Sequence, residues 1–438
     1  MKRLLCLFFM LCAMLGASSQ LAARPQSASP DTSIYITVQG KVRDAITRKP
    51  LRLASVVVKK LNVSTVTNEE GYFILKIPGN TTEWTVDISH VGYKNQNIAV
   101  ATLLLDKIQA IDLRPTVYDL EDVAVLSSDP EKILQMVMER IPQNYGESPV
   151  AMTAFYREFV KRNNRYISIA EAVTDIYKAS YTSPQRDMAR IFKGRKSADV
   201  DRVDTVVFKY QGGIASSLWL DVIKNKDVGL FSGDFFTDYN FEMGEVEMIN
   251  DKPHYVIKFN QKPNIRDILF RGKIYVEPRS IAIARIVFNM NVENRPEAGR
   301  FFLKHAPRGI KLYMECAQYM INYREKNNRW YYNYGRIEIK FKTNWKKFLF
   351  FKPTGTMISE MAVTDMSDTD VTAFSRKEAV RENDIVSDKL SVFSGDSFWE
   401  SYNYIEPEQP IEQAIKKMNR KLLREGMLKD TEQERENK

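Results

Sequence analysis

The feature that most constrains the fold is a run of short strand patterns across residues 34–115, each interrupted by turn residues. Apolar and polar residues alternate over 34–38 and again over 86–88, as in strands with one buried face. Residues 44–50 form a polar turn, and Gly71 permits a chain reversal because glycine adopts positive φ readily. About seven short segments within about 80 residues predict a small β-sandwich.

Motifs occur in order along this stretch: Gly40-Lys41-Val42, Asp44-Ala45, Thr47, Pro50-Leu51, Ala54-Ser55-Val56, Thr67-Asn68, Gly71-Tyr72-Phe73 and Val91-Gly92-Tyr93. Together they resemble the carboxypeptidase-regulatory-like domain, over about residues 36–115. The resemblance implies a prealbumin-like β-sandwich of the kind common at the N-termini of exported Bacteroidota proteins. It implies no peptidase activity, because in metallocarboxypeptidases this domain contributes no zinc ligand.

The C-terminal part carries a second resemblance. Ser397-Phe398-Trp399 and the segment Tyr402-Asn403-Tyr404-Ile405-Glu406-Pro407 precede a helical pattern. This arrangement resembles the end of uncharacterised exported Bacteroidota proteins that have the same N-terminal domain.

The first 23 residues have the pattern of a secretory signal peptide. Lys2 and Arg3 precede an apolar run from Leu4 to Leu15, and Ala17 and Ser19 are small residues suited to cleavage. A membrane-spanning helix needs about 20 apolar residues, so this run is too short to be one. We therefore expect an exported protein of the periplasm or outer membrane, with a polar linker at residues 24–33.

Cysteine and charge exclude two further interpretations. Removal of the signal peptide leaves Cys316 as the one cysteine, so no intramolecular disulfide forms. The chain has 64 Lys and Arg against 55 Asp and Glu, and loss of Lys2 and Arg3 lowers the net charge from +9 to +7. This charge is modest for about 415 residues, and we expect no nucleic-acid partner.

A connecting helix is predicted within residues 116–150. Ser128 is the candidate N-cap, with Pro130 and Glu131 just after it. Ile133, Val137 and Ile141 recur at a spacing of four and form one apolar face.

Residues 151–408 are predicted to form a large antiparallel β domain. Strand patterns flank turns at residues 250–253, 277–279 and 325–329, which indicates three successive hairpins. The fold class is therefore mainly β: a prealbumin-like β-sandwich at residues 34–115, then a half-barrel or second sandwich with a few helices. Residues 409–438 are predicted to be a helix and a polar tail.

Catalytic and metal-binding signals are few. No P-loop, dinucleotide-binding, zinc-protease or serine-hydrolase motif occurs. His90, His254 and His305 lack ligand spacing, and Cys316 lies in a predicted strand, so we expect all four to be structural. We expect no cofactor, no metal and no catalytic residue. Asp365, Asp368 and Asp370 are interpreted as a solvated loop and not as a calcium site, because the central glycine of a calcium-binding loop is absent. Glu242, Glu245 and Glu247 are not interpreted as glycosidase carboxylates, because the sequence does not supply their separation in space.

Aromatic and basic residues interleave between residues 319 and 351, a composition that can stack on sugars or bases. Trp330, Tyr332 and Trp345 are the candidate ligand-binding residues. The alternative is a twisted strand pair with its aromatic residues in the core, which is the commoner role of aromatic residues in strands.

The last helical pattern places Ile411, Ile415, Met418 and Leu422 on one face, with basic residues around it. Such a helix can rest on an anionic membrane surface, or its apolar face can dock on the preceding domain. Docking is the commoner outcome.

These observations favour an exported, non-catalytic cell-envelope protein that binds a protein partner or an apolar ligand. Two other hypotheses remain open. One is a hydrolase of unrecognised type that uses dispersed carboxylates with Cys316 or a histidine. The other is a glycan-binding surface protein that uses Trp330 and Trp345.

Overall fold

The structure is a computed structural model. It describes residues 34–105, 107–116, 128–198, 213–225, 230–231, 234–293, 298, 310–345, 354–369, 371–382, 384–392 and 398–424. The predicted signal peptide, the linker, His305, Asp370 and the polar tail lie outside these residues.

Residues 34–116, termed the module below, form a two-sheet sandwich. Its strands are β1 (Tyr35–Asp44), β2 (Ser55–Val58), β3 (Val63–Val66), β4 (Tyr72–Pro78), β5 (Thr85–Ser89), β6 (Gln96–Ala99) and β7 (Gln109–Leu113), with 3-10 turns at Lys59–Leu61 and Val100–Thr102. One sheet has the order β4-β1-β7 and the other β3-β2-β5-β6. Alternate residues of both sheets, such as Val42, Val56 and Leu75, fill one core between them.

Gly71 makes the tight reversal before β4, as its position in the sequence predicts. Its φ is +81°, and a Cβ at this position would lie 2.5 Å from the carbonyl oxygen of Val42. The Val42 amide donates to the Gly71 carbonyl at 2.9 Å. Both the positive φ and the close approach of β1 require glycine here.

The remainder is dominated by one large sheet. Its strands are β8 (Val150–Arg162), β9 (Arg165–Lys178), β10 (Met188–Ala198), β11 (Tyr239–Met243), β12 (Glu247–Ile249), β13 (Lys252–Gln261), β14 (Phe270–Glu277), β15 (Ala282–Met290), β16 (Ile310–Lys326), β17 (Arg329–Trp345), β18 (Thr354–Ser367) and β19 (Ser391–Val392). The order is β11-β13-β14-β15-β16-β17-β18-β8-β9-β10-β19, and β12 pairs with β13. All these pairs are antiparallel except β10 with β19. The sheet is open, because β11 and β19 do not pair with each other in the described residues.

The three predicted hairpins are confirmed. They are β12–β13, β14–β15 and β16–β17, and the strands of the third are 17 residues each. Two of them, and the β8–β9 hairpin, turn at residue pairs with positive φ: Asn163-Asn164, Asn250-Asp251 and Asn327-Asn328. Asn and Asp tolerate this conformation, and its twist matches that of the paired strands.

Five helices are described: α1 (Pro130–Glu139), α2 (Ile141–Asn144), α3 (Ile214–Trp219), α4 (Phe235–Asp238) and α5 (Gln409–Arg424), with a 3-10 turn at Val386–Lys389. The predicted helix within 116–150 is α1. Its N-cap is Asp129 and not Ser128, since the Asp129 carboxylate accepts from the amides of Glu131 and Lys132. Ile133 and Val137 are buried as predicted.

The mainly β fold class is confirmed, with the N-terminal sandwich followed by the large, mainly antiparallel sheet. The sequence predicts a half-barrel or a second sandwich for the second part. The described residues of that part form a single open sheet with helices. The predicted boundaries between segments stay predictions.

Candidate functional site

The two faces of the large sheet bury different side chains because strand residues alternate between faces. On β8, Met152, Ala154 and Tyr156 join the main core, which also contains residues of α1 to α4. Phe155 and Arg157 point to the opposite face, toward the module and the C-terminal segment. We call these the helix-covered face and the module-covered face.

The helix-covered face is apolar across its middle. Ile257, Ile274, Ile286 and Ile321 lie opposite one another on β13, β14, β15 and β16, and all four are fully buried. The row continues to Gly335 on β17, where a Cβ would lie 2.0 Å from the Tyr332 hydroxyl and 3.3 Å from Leu220. The absent side chain therefore leaves room for a residue of the helical layer to contact the sheet.

Short helices cover this apolar face. Leu134 of α1, Ile141 of α2, Leu218 of α3 and Phe235 of α4 are all buried in the main core. These helices contain 10, 4, 6 and 4 residues. Helices of this length are not stable alone, so the layer depends on its contacts with the sheet.

A buried polar cluster fastens α3 to the sheet. The Lys178 ammonium at the end of β9 lies 2.5 Å from Asp187 Oδ2 and 2.6 Å from Asp221 Oδ2. The Tyr323 hydroxyl of β16 donates to Asp221 Oδ1 at 2.9 Å, and the Tyr332 hydroxyl of β17 donates to the Ser217 carbonyl at 3.0 Å. We call these six residues the latch.

The charges of the latch are buried, so they are compensated by one another and not by water. Burial disfavours the Lys178 ammonium, but Asp187 and Asp221 more than compensate, and the pKa of Lys178 is raised. Burial also raises the pKa of Asp187 in spite of the neighbouring ammonium. Removing one partner would leave an uncompensated buried charge, which is strongly destabilising.

The module-covered face carries a row of alternating charges across five neighbouring strands. In register order the row is Arg195 (β10), Glu171 (β9), Arg157 (β8), Glu360 (β18) and Arg336 (β17). We call this row the ladder. Arg157 and Glu171 are 0% exposed, so its centre is sealed from water.

Ion pairs connect every step of the ladder. The Glu171 carboxylate accepts from Arg157 Nε at 2.8 Å and from Arg195 Nε at 2.9 Å. Glu360 lies 3.6 Å from Arg157 Nη1 and 3.3 Å from Arg336 Nη1, and it accepts from the Tyr334 hydroxyl at 2.8 Å. Opposite charges on directly facing residues stabilise a sheet, which explains the regular alternation.

Residues 398–408, termed the strap, cover the ladder. Arg157 Nη2 donates to the carbonyl of Ile405, and the Arg195 guanidinium lies over the Trp399 ring at 4.8 Å. At the other end, Arg336 Nη2 lies 3.2 Å from Glu69 of the module. The ladder therefore joins the sheet to both the strap and the module.

The predicted ligand-binding aromatic residues lie elsewhere. Trp330 and Tyr332 are 5% and 1% exposed within the main core, and the Tyr332 hydroxyl belongs to the latch. The backbone of Trp345 ends β17 opposite Ile310, and its side chain lies outside the described residues. The structure thus gives Trp330 and Tyr332 core positions, and a ligand-binding role for them stays a prediction.

The remaining candidate catalytic residues lie on different elements, and most of them contact neighbouring backbone or side-chain groups. Both ring nitrogens of His90 lie near backbone oxygens in the module, and His254 Nδ1 lies 2.9 Å from the Lys252 carbonyl on β13. Burial raises the pKa of the half-buried Cys316 thiol on β16, which disfavours a thiolate. Glu242 and Glu247 pair with the lysines Lys258 and Lys273.

Helix α5 docks through its apolar face. Ile411, Ile415 and Met418 are buried against Phe159 and Ile169 on the module-covered face. The Leu422 side chain lies outside the described residues. In this structure the face that could rest on a membrane is occupied by the sheet, as the docking alternative predicts.

Neither a metal-binding cluster nor a helix fit to span a membrane occurs among the described residues. No group of three or more His, Cys, Asp or Glu side chains is placed to hold a metal ion in that part of the chain. None of the described helices combines the length and the apolar character that a membrane crossing needs.

Sequence reasoning missed the ladder and the latch, although the ladder has a local signal. Arg157 lies between Phe155 and Phe159, and Glu171 lies between Ile169 and Val173, at the two-residue spacing of one strand face. A charged residue flanked in this way indicates a buried ion pair. The latch has no such signal, because its residues come from distant segments.

Comparisons with known proteins agree with the architecture of the module. Residues 38–125 match the family model of the CarboxypepD_reg-like domain, ten residues beyond the predicted end at residue 115. This confirms the N-terminal domain assignment, and the match covers that domain only. In the comparison with curated proteins, nothing matches the chain.

Solved structures show only distant likeness. MucB in complex with MucA(peri) is 11% identical with a TM-score of 0.17, covering 55% of this chain and 98% of that chain. A LolA superfamily protein from Nitrosomonas europaea is 11% identical with a TM-score of 0.19, covering 55% and 97%. A DUF1329 family protein from Desulfovibrio piger is 11% identical with a TM-score of 0.23, covering 56% and 95%. At TM-scores this low, the likenesses carry no argument.

Proposed function

We propose that this chain is a non-catalytic binding protein of the cell envelope, which holds an apolar ligand such as an acyl chain between the large sheet and its helical layer. The observation that carries the proposal is the apolar row Ile257, Ile274, Ile286 and Ile321, covered by helices of ten residues or fewer. Binding sites for small molecules are mostly apolar and are lined with few polar groups.

The division of the helical layer into separate short helices supports this proposal. A second sheet would bury the apolar face through continuous contacts, whereas separate short helices can move one at a time at lower free-energy cost. The latch attaches α3 to the sheet, and a separate set of hydrogen bonds from Asn144 and Tyr145 attaches α2. Displacing α3 would uncover Gly335 and the neighbouring apolar row without breaking any strand pairing of the sheet.

The envelope location is supported by the sequence. Lys2 and Arg3, the apolar run from Leu4 to Leu15 and the small residues after it follow the pattern of a secretory signal peptide. An exported protein meets lipids and lipid-modified proteins, both of which present acyl chains. The non-catalytic assignment is part of the proposal, since the candidate nucleophile and bases are on separate elements with local partners.

Binding of a fluorescent 16-carbon fatty acid to the full mature chain tests the proposal. We expect saturable binding by the wild type, and we expect Asp221→Asn to speed ligand entry, since the amide weakens the charge pairing of the latch by about 1–3 kcal/mol. Glu382→Gln is the matched control, because Glu382 forms an exposed ion pair with Arg186. Absence of saturable binding in both the wild type and Asp221→Asn would contradict the proposal.

A further inference from the structure

The strap is held on the module side by hydrogen bonds to both backbone and side chains. Thr65 Oγ1 donates to the Tyr404 carbonyl at 3.0 Å, and Asn68 Nδ2 donates to the Glu406 carbonyl at 3.1 Å. Asn403 accepts from the Lys76 amide at 2.7 Å and donates to the Lys76 carbonyl at 3.0 Å. The strap is therefore one side of a polar interface that secures the module.

The module contributes few apolar residues to this interface, although the sheet and the strap contribute several. Val66 is the module residue buried in the small cluster with Phe155 and Trp399, and Leu53 is partly buried there. The module core and the main core are separate clusters. Interfaces of this polar kind between domains permit relative motion.

A carboxylate without a complete set of partners lies in the interface. Glu406 Oε2 is buried and has no hydrogen-bond partner among the described residues, and the same is true of Glu408 Oε2. Arg157 Nη1 of the ladder also lacks a hydrogen bond, although it lies 3.6 Å from Glu360 Oε1. A buried oxygen of this kind costs free energy when it is ionised, and much less when it is protonated.

The charges that face Glu406 come from every neighbouring element and do not cancel. On the sheet they are Arg157 and Glu171, and on α5 the nearest is Glu412. Within the strap the Tyr404 hydroxyl faces the Glu406 carboxylate and favours its ionised form, and Glu408 faces Arg157. From the module, Lys76 faces Glu406 and also Glu400.

The protonation equilibria follow this arrangement. Burial raises the pKa of Glu406 from 4.5 to about 7, in spite of Arg157. Burial raises the pKa of Glu408 as well, and burial lowers the pKa of Lys76 from 10.5 to about 8. A raised carboxyl pKa means that the docked state binds more protons than the released state, so docking weakens as the pH rises from 4.5 to 7.

We propose that the strap is a pH-responsive clamp, which holds the module on the large sheet while Glu406 is protonated and releases it when Glu406 ionises. The reason is geometric: the Glu406 carbonyl is fixed by Asn68 of the module, so the side chain cannot leave the interface unless that hydrogen bond opens. The clamp acts on the module-covered face and is independent of ligand binding on the opposite face.

Hydrogen–deuterium exchange of the full mature chain, corrected for the intrinsic rate, measures the clamp. Between about pH 5.5 and about pH 8, a pKa change from 4.5 to about 7 alters the docking equilibrium by up to about 30-fold. We expect exchange within residues 398–408 and 63–78 to increase by a factor of this order at the higher pH. Strands β13 to β16 serve as the internal reference and are expected to change little.

Variants separate titration of Glu406 from a general loosening. Glu406→Gln is expected to remove most of the pH dependence, and Glu382→Gln to retain it, because Glu382 is an exposed residue paired with Arg186. Asn68→Ala is expected to raise exchange at both pH values while keeping their ratio. Equal protection of the wild-type strap at both pH values would overturn the proposal, and so would an undiminished ratio in Glu406→Gln.

Discussion

Arg157 occupies an unusual environment for an arginine side chain. A guanidinium is rarely fully buried, yet Arg157 is 0% exposed and is held by Glu171, Glu360 and the Ile405 carbonyl. Arginine suits this position because its five donors lie in a planar fork and can serve several acceptors at once. Lysine would provide the charge without this geometry.

Replacement of Arg157 is expected to destabilise the protein strongly. Arg157→Ala leaves Glu171 and Glu360 as buried carboxylates with less compensation, and we expect the free energy of unfolding to fall by about 3–5 kcal/mol. Urea denaturation followed by circular dichroism measures the change. Arg48→Ala is the control, since its pair with Asp112 is on the surface and is expected to contribute at most about 1 kcal/mol. A loss in Arg157→Ala no larger than that of the control would contradict the expectation.

His254 gives a prediction of the opposite pH sign from that of the clamp. Burial lowers its pKa from 6.5 to about 4, and its Nε2 is buried without a hydrogen-bond partner among the described residues. The unfolded state therefore binds more protons between these pKa values, and the contribution of neutral His254 to stability is lost as the pH falls from 6.5 to 4. A shift of this size corresponds to roughly 3 kcal/mol. Stability curves from about pH 7 to about pH 4 should be flatter in His254→Gln than in the wild type.

At the scale of elements, α5 shows how a periodic apolar pattern gains its stability from packing. Its spacing of three and four residues predicts one apolar face, and that face contacts Phe159, Ile169 and Ile358 of the sheet. The same pattern on an isolated helix would not distinguish a protein surface from a membrane surface. In this structure the contacts with the sheet identify a protein surface as the partner of this face.

Truncation of a buried residue of α5 is expected to loosen the helix. Ile411 is 0% exposed, and Ile411→Ala should lower the free energy of unfolding by about 2–5 kcal/mol through lost burial and a residual cavity. Glu412→Ala provides the exposed control one residue away. Urea denaturation measures stability, and hydrogen exchange shows whether the loss is concentrated in residues 409–424. Equal effects of the two substitutions would argue against docking.

At the scale of the whole molecule, the two largest apolar cores of the described chain are separate, and they are joined by hydrogen bonds and by the small apolar cluster around Val66. The module reaches the sheet through hydrogen bonds such as those from Ser64 Oγ to the Val363 carbonyl and from the Gly92 amide to the Met248 carbonyl. Hydrogen bonds of this kind contribute about 1 kcal/mol each. A destabilising substitution in one core should therefore loosen mainly that core.

Two core substitutions test this independence. Val56→Ala in the module, where Val56 is 0% exposed, should cost about 1–3 kcal/mol and speed hydrogen exchange within residues 34–113. Ile274→Val on β14 should instead speed exchange in β13 to β16 by a smaller factor, since it removes one methyl group. If either substitution accelerates exchange equally in both regions, the two cores form one cooperative unit.

Local signals in the sequence predicted the strands and hairpins named above, but they did not lead to the ladder or the latch. Turn residues and alternation predicted the module and three hairpins, because twist and positive φ depend on neighbours along the chain. The ladder depends on the order in which β10, β9, β8, β18 and β17 lie side by side. That order pairs Arg157 with Glu360, which are more than 200 positions apart in the chain. The tertiary structure also placed the candidate Trp330 and Tyr332 in the core.

The sequence alone determined the mainly β class, the sandwich at the N-terminus, the hairpins and the amphipathic helices, since each arises from interactions over a few residues. Tertiary structure decided which face of the sheet each charged or aromatic residue occupies, and what covers it. Arg157 and Glu406 illustrate the reason: each is an ordinary charged residue in the chain, and only burial between the sheet, the strap and the module changes its energetics.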